Sequence, residues 1–249
     1  MKINDSEFEG RVVMVTGAAG GIGQAMAEAF CARGATVVLT DRSEAVHETA
    51  GKLGPRHRAF VMDVCDEAGI AATVRAAEET LGRIDALVNN AGIGILAPAE
   101  SLTSEVWDRH MDVNLKGAFL VARAVAAGML VRGYGRIVNI ASQAAIIGIE
   151  GHVAYCASKA GLLGMTRCMA LEWAPRGVTV NAISPTVVET DLALVGWAGE
   201  KGERARAAIP TRRFAQPWEI AAAACFLAGE GAAMINGENM LVDGGYTVI

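Results

Sequence analysis

The sequence predicts a doubly wound α/β fold, a seven-stranded parallel sheet flanked by helices on both faces. Three observations point to it. Short apolar runs rich in Val, Ile and Leu alternate with stretches of helical periodicity along the chain. The first run ends in a cluster of glycines, Gly17, Gly20, Gly21 and Gly23. Small or polar residues recur where the runs stop, at Gly17, Asp41, Asp63, Asn89 and Ser142. In a parallel sheet those stops are the carboxyl ends of strands, where ligands bind.

Composition narrows the class. The chain has 249 residues, enough for one large α/β domain or two small ones. No internal repeat, low-complexity segment or linker divides it, so a single domain over residues 1–249 is expected. Hydrophobic residues make up 52% and charged residues 20%, which supports a sizeable core and argues against disorder. The net charge of −5 argues against a broad nucleic-acid or anionic-membrane surface. Cys31, Cys65, Cys156, Cys168 and Cys225 are scattered, odd in number and form no C-x-x-C. That pattern fits reduced thiols in a cytoplasmic protein, with no disulfide frame and no metal site. The first ten residues are acidic and lack an apolar core, unlike a signal peptide. Arg123 splits the best candidate span, residues 117–131, so no membrane partner is expected.

The elements follow in order. Residues 11–16 form a β-branched strand, and residues 24–33 a helix. Gly17, Gly21, Ile22 and Gly23 lie between them. A strand, a glycine turn and a helix N-terminus make an anion site, because small residues admit a pyrophosphate and unpaired N–H groups face it. The spacing is G-x-x-x-G-x-G, not the strict G-x-G-x-x-G. Residues 35–40 form the second strand, closed by Asp41. An acid there suits the ribose hydroxyls of NAD and repels the extra phosphate of NADP. Arg42 next door carries the opposite signal. Asp41 also reads as an N-cap for the helix that starts near residue 43. A third strand, 58–62, ends at Asp63 and Val64. A helix over 67–81 and a strand over 84–88 follow, then Asn89-Asn90-Ala91-Gly92.

Residues 104–131 read as one long helix with Asn114 inside it, where Asn is a poor helix former and needs a partner or a role. The fifth strand, 136–141, ends at Ser142. A helix over 153–173 carries Tyr155 and Lys159. The sixth strand, 177–183, leads into Pro185, Thr186, Val188 and Thr190. Residues 190–212 are more polar and read as a substrate-covering lid, helical over 192–208. A helix over 217–228 opens on a proline, as the first helical position allows. A seventh strand, 239–242, precedes Asp243-Gly-Gly-Tyr246.

The chemistry centres on Tyr155-Cys156-Ala157-Ser158-Lys159. Residues four apart on a helix share a face, so the spacing sets an ammonium beside a phenol. A free Tyr titrates near ~10, and bringing it to about 7 needs roughly 4 kcal/mol. One exposed Lys does not supply that; a Lys and a cationic cofactor ring in a dry site together can. Alone, the pair also fits an ordinary amphipathic helix. Cys156 is either a reactive thiol or a small apolar filler.

Taken together, Thr16-Gly-x-x-x-Gly-Ile-Gly23, Asn89-Asn-Ala-Gly92, Ser142 and Tyr155-x-x-x-Lys159, in that order, resemble the short-chain dehydrogenase/reductase family over nearly the whole chain. The resemblance implies a Rossmann-type single domain and a nicotinamide cofactor, here NAD. It implies a catalytic tetrad of Asn114, Ser142, Tyr155 and Lys159. Tyr155 would move the hydroxyl proton, Ser142 polarise the substrate oxygen, and Lys159 bind the ribose and lower the Tyr155 pKa. Asn114 would kink its helix and hold a water that links Lys159 to solvent. Gly17, Gly21, Ile22, Gly23, Asp41, Arg42, Asp63, Val64, Asn90, Ala91, Gly92, Tyr155, Lys159, Pro185, Val188 and Thr190 become the expected cofactor contacts. The family commonly has Pro-Gly where this chain has Pro185-Thr186.

Ser142-Gln143, His152, Pro185-Thr-Val-Val188 and Trp197 resemble the sugar and polyol branch, such as xylulose reductases and galactitol dehydrogenases. The expected substrate residues are Ser142, Gln143, His152, Tyr155 and Trp197, and the expected partner is a small polyol or ketose. Gln143 also reads as a turn residue and His152 as a helix-start residue. The alternatives are a 3-oxoacyl or other ketone reductase of the same family, and a non-catalytic dinucleotide-sensing protein. The helices over 104–131 and 153–173, with Ala122, Ala126, Ala160 and Gly164, suit the homotetramer common in the family.

Overall fold

The computed structural model describes residues 7–190, 193 and 196–248. Its strands are β1 (Val12–Thr16), β2 (Thr36–Asp41), β3 (Arg58–Val61), β4 (Ala86–Asn89), β5 (Gly135–Ile140), β6 (Val178–Pro185) and β7 (Asn239–Val242). They form one sheet in the order β3-β2-β1-β4-β5-β6-β7, with every pair parallel. Chain order reverses between β1 and β4, which opens a crevice at their carboxyl ends.

The helices are α1 (Gly21–Ala32), α2 (Ala45–Leu53), α3 (Glu67–Leu81), α4 (Ser104–His110), α5 (Ala118–Arg132), α6 (Val153–Trp173), α7 (Gly199–Ala208) and α8 (Pro217–Ala228). β1 shows why both faces are covered. Val13 and Val15 pack with Met26 and Phe30 of α1 and Ile220 and Ala224 of α8. Val12 and Met14 point the other way, into a core with Ile70 of α3 and Val121 and Val125 of α5. A central strand buried on both faces needs apolar residues at every position, and all five of its residues are buried.

Most expected elements stand within two or three residues of their sequence positions. β6 runs two residues further than expected, through Ser184 and Pro185. In the lid region the described residues Ala193 and Gly196 are helical, and α7 covers Gly199–Ala208. Residues 191, 192, 194 and 195 of the expected lid lie outside the described residues.

The segment Ser104–Arg132 is long and apolar enough to cross a membrane by length and composition, and half of its most apolar window is buried inside the protein. It runs through Arg123 without a break. Ala122 and Ala126, expected at a subunit interface, are instead buried in the core beside the sheet. Ala160 and Gly164 of α6 do face outward.

Buried amides fix the strands beneath the crevice. Asn89 donates to the Asn139 side-chain oxygen at 3.0 Å and to the Ala118 carbonyl at 3.1 Å. Asn139 in turn donates to Thr166 on α6 at 2.9 Å. β4, β5, α5 and α6 therefore meet at fixed register where Asn90 leaves the sheet.

Candidate active site

The glycine turn is tied to the end of β4. Thr16 Oγ1 accepts the backbone N–H groups of Asn90 and Ala91, both at 3.0 Å. Asn90 Nδ2 donates to the carbonyls of Thr16 at 3.0 Å and Gly17 at 3.1 Å. Gly17 has φ +66°, and a Cβ on Gly23 would lie 2.0 Å from the Gly17 carbonyl oxygen. Both glycines are thus required by the turn's own closure. The residue before α1, Gly20, offers no side-chain cap, and the first turn holds no acid. Its leading N–H groups suit an anion. Thr190 leans over this turn, its methyl 3.4 Å from where a Gly21 Cβ would stand.

Asp41 accepts the Ala19 N–H at 3.1 Å and the Ser43 N–H at 2.9 Å. It does not cap α2, whose N-cap is Glu44. Asp63 accepts the Cys65 N–H at 2.8 Å, and Val64 is buried against Gly117. These residues, with exposed Arg42 and with Ala91 and Gly92, wall a cleft of about 540 Å³. The donor set fits a nicotinamide dinucleotide: free helix N–H groups for a pyrophosphate, a carboxylate for ribose hydroxyls, and an apolar slot at Met62 and Val64. A shallower depression of about 430 Å³ lies beside α2 and β3, away from these residues.

Gly92 links the cleft to the tetrad. A Cβ there would stand 3.2 Å from Asn114 Oδ1 and 3.5 Å from Lys159 Nζ. Asn114 sits in a π-helical turn, Met111–Gly117, between α4 and α5. Such turns mark functional sites. Its Oδ1 accepts the Ile93 N–H at 2.8 Å, and its Nδ2 donates to the Ile93 carbonyl at 3.0 Å and to Ser158 Oγ at 3.1 Å. Lys159 is buried and donates to the Ile140 carbonyl at 2.8 Å, with its ammonium 5.7 Å from the Tyr155 ring centre.

Ser142 opens a short turn, Gln143–Ala145, by accepting the Ala144 N–H at 3.1 Å. Its hydroxyl also acts on the Tyr155 phenol. Burial pushes that phenol above its ordinary range, the Ser142 hydrogen bond opposes the rise, and Cys156 adds to it. The lowering of the phenol is expected of Lys159 and a cationic cofactor ring together, and with the protein's residues alone the phenol stays raised. Burial also pulls Lys159 down, to about 8. Desolvation thus leads the shift of both groups.

His152 lies against Tyr155, and Gln143 follows Ser142 in the chain. Gln143 is buried, and its Oε1 has no hydrogen-bond partner among the described residues. His152 precedes α6, its ring edge-on to Tyr155 at 6.1 Å and its Nδ1 donating to the Glu150 carbonyl at 2.7 Å. Trp197 stacks edge-on against Phe214 at 6.0 Å, with the Lys201 ammonium over its ring. Val188 pairs with Ala215 in a single bridge, and Pro185 closes β6. Thr186 is buried, and its Oγ1 has no partner among the described residues.

Sequence reasoning missed Thr16 as the brace of the glycine turn, Ser158 as a partner of Asn114, and His110. Only spacing hinted at them: Ser158 precedes Lys159, and His110 stands four before Asn114.

The chain matches the family model described as enoyl-(acyl carrier protein) reductase over residues 17–247. A D-threitol dehydrogenase of Mycolicibacterium smegmatis is 49% identical, over 98% of this chain and 95% of its own. An NAD-dependent glycerol dehydrogenase of Listeria innocua is 46% identical, over 98% of this chain and 96% of its own. A solved structure described as a candidate NAD(P)-dependent gluconate 5-dehydrogenase of Beutenbergia cavernae, with bound NADP at low occupancy, aligns with a TM-score of 0.93. It shares 38% identity over 98% of this chain and 100% of that one.

The buried lysine has a measurable consequence. Lys159 titrates near 10.5 when solvated and near 8 in the folded protein. Below pH 8 both states hold the proton, and the fold bears the cost of a buried ammonium. Between 8 and 10.5 the unfolded chain still holds a proton that the folded chain has released, so stability from this site rises with pH. Lys159→Met removes the cost, by roughly 3 kcal/mol less about 1 for the lost hydrogen bond. The variant should unfold at higher denaturant than the parent at pH 7. The gap should shrink as pH rises and reverse by about 1 kcal/mol at pH 10.5, where only the lost hydrogen bond remains. A gap that stays constant with pH would contradict the buried charge.

Proposed function

Because the chain belongs to the short-chain dehydrogenase/reductase family of oxidoreductases, which use a nicotinamide dinucleotide, we propose that it is an NAD-dependent polyol dehydrogenase. It interconverts a secondary alcohol of a small, uncharged polyol and the corresponding ketone. The observation that carries the substrate class is Gln143, next in the chain to Ser142, whose buried Oε1 lacks a partner among the described residues. A substrate hydroxyl would supply that partner. The two dehydrogenase relatives, which act on threitol and glycerol by their names, support the same class.

The bound nicotinamide supplies the hydride acceptor in oxidation and the donor in reduction. Tyr155 takes the carbinol proton in oxidation and returns it in reduction, while Ser142 holds the oxygen that gains or loses it. Lys159 keeps N–H groups beyond its bond to Ile140 for the ribose. Asn114 holds Ile93, which lines the cleft. Gly17, Gly21, Ile22, Gly23, Asp41, Asp63, Val64 and the 90–92 turn form the cofactor contacts, with Pro185, Val188 and Thr190 at the nicotinamide end. Residues 190–212 form the lid, with Trp197 held by Phe214 and Arg206 placed between Phe214 and Glu189. The protein works in the cytoplasm as a homotetramer, assembled through outward faces that include Phe119 and Val131 of α5 and Ala160, Gly164 and Leu171 of α6.

A relative of Vibrio cholerae named as a 3-oxoacyl-[acyl-carrier-protein] reductase, 39% identical, supports a second reading, reduction of the 3-oxo group of an acyl thioester. A panel of tetritols, pentitols, hexitols and acetoacetyl thioesters separates the two. The polyols should be oxidised, and Tyr155→Phe should lower turnover by about 10²-fold or more while cofactor binding survives. Gln143→Ala should hurt polyols by about tenfold more than a simple secondary alcohol, since one unpaired buried group costs about 1–3 kcal/mol. Thioester reduction without polyol oxidation would establish the second reading.

Cofactor choice is a separate test. Asp41 should give kcat/KM a clear preference for NAD over NADP, and Asp41→Ser should narrow it. A preference for NADP in the unmodified protein would reverse the assignment. Light scattering at micromolar concentration should return the mass of four chains, and a monomeric mass would rule the tetramer out.

A further inference from the structure

We propose that His110 is a positioning residue for Tyr155, acting through the backbone at residues 93–95. The proposal rests on Tyr155 being the acid/base, and it adds a residue outside the tetrad.

The His110 ring is fully buried and both its nitrogens are engaged. Nδ1 lies 2.8 Å from the Val106 carbonyl, which can only accept, so Nδ1 carries the proton. Nε2 accepts the Ile95 N–H at 3.1 Å. The two partners fix a neutral ring in one tautomer. Four residues later on the same helical segment, Asn114 grips Ile93 through both its N–H and its carbonyl. Residues 93 and 95 thus present their N–H groups to the same helical face, one to each side chain. His110 and Asn114 form a two-point clasp on one stretch of chain.

The residue between the two grips is Gly94, and it lies against the catalytic ring. A Cβ there would stand 3.9 Å from both Cδ2 and Cε2 of Tyr155. The His110 ring itself meets Tyr155 edge-on at 6.4 Å between centres. Among the described residues, nothing else holds this wall firmly. Residues 93–97 belong to no helix or strand, and Ile95 and Leu96 are exposed. The remaining backbone tether is Ala97 N–H to the Gly151 carbonyl at 3.1 Å. Burial therefore does not anchor the wall, and directed hydrogen bonds do. Loss of the His110 grip lets Gly94 withdraw and widens the range of Tyr155 ring positions. Small errors in the placement of a reacting group cost rate rather than affinity.

Three variants separate this role from packing. His110→Phe keeps ring volume and loses both bonds. His110→Asn can reach Val106 but not Ile95. His110→Gln places an acceptor where Nε2 was. Polyol oxidation by the Phe and Asn variants should lose about tenfold or more in kcat with little change in KM, and Gln should recover most of it. Hydrogen exchange at the Ile95 amide should speed up in His110→Phe while β4 and β5 keep their protection. If His110→Phe does not accumulate as folded protein, the contrast between Gln and Asn decides. Normal kcat in His110→Phe, no advantage of Gln over Asn, or exchange that rises equally through β4 and β5 would each overturn the proposal. Full activity of Tyr155→Phe would instead overturn the assignment beneath it, while the Ile95 exchange result would still report on the clasp.

Discussion

The Asn114 carboxamide is the tie on which the site depends. Asn is a poor residue for a helix interior, since its side chain competes for backbone partners. Here the π-helical turn loosens the ladder and lets the side chain turn inward. Its three hydrogen bonds reach the loop that leaves β4 and the helix that carries Tyr155 and Lys159. With Asn114 gone, two backbone groups of Ile93 and the Ser158 hydroxyl would lose buried partners together. The register between the cofactor cleft and the proton-transfer residues is therefore set by one amide. Gly92, lodged against both Asn114 and Lys159, makes the two halves share a wall.

Desolvation is the second constraint, and it acts on the pair in opposite senses. It raises the Tyr155 phenol and lowers the Lys159 ammonium. Each shift favours the uncharged form. A phenol held protonated suits the return of a proton to a ketone. Removal of a carbinol proton requires the opposite bias. A positive charge placed beside both groups supplies it, drawing Tyr155 towards phenolate while making the Lys159 proton easier to lose. The site's proton affinity thus follows the charge of what occupies the cleft, which a pair of solvated residues would not do.

The fold was legible because each strand is short, apolar and closed by a turn residue. The strand order was legible only as a class, since which strand neighbours which is decided by long-range packing. The long helix through Asn114 misled on its faces. It is apolar on nearly every side, so its pattern does not separate the side against the sheet from the outward side, and Ala122 and Ala126 were placed on the wrong one. Tyr155, Lys159, Ser142 and Asn114 were found because their spacing carries chemistry. Their electrostatics were not, since the Lys159 shift comes from burial that no local pattern records. His110 escaped for a similar reason: its partners are backbone atoms of an irregular segment, and any residue at 95 could supply them. Gly17 and Gly23 were read as room for a phosphate, whereas their missing side chains first serve contacts within the protein.

The remaining question is why a chain would keep a buried amide oxygen with no partner among the described residues. A residue needed only for a turn would expose its side chain, as the polar residues of most turns do. Gln143 instead turns inward beside Ser142. Thr186 likewise buries a hydroxyl oxygen, just past the carboxyl end of β6, where the family commonly has glycine. Each such atom costs about 1–3 kcal/mol while it lacks a partner. On the proposed reading an acyl chain set against Gln143 would leave its oxygen unpaired, whereas a substrate hydroxyl would complete it and discriminate against analogues that lack one. Stability forgone at a buried polar atom would then return as selectivity when a substrate hydroxyl pairs with it, which is the physical ground for proposing a polyol over an acyl thioester.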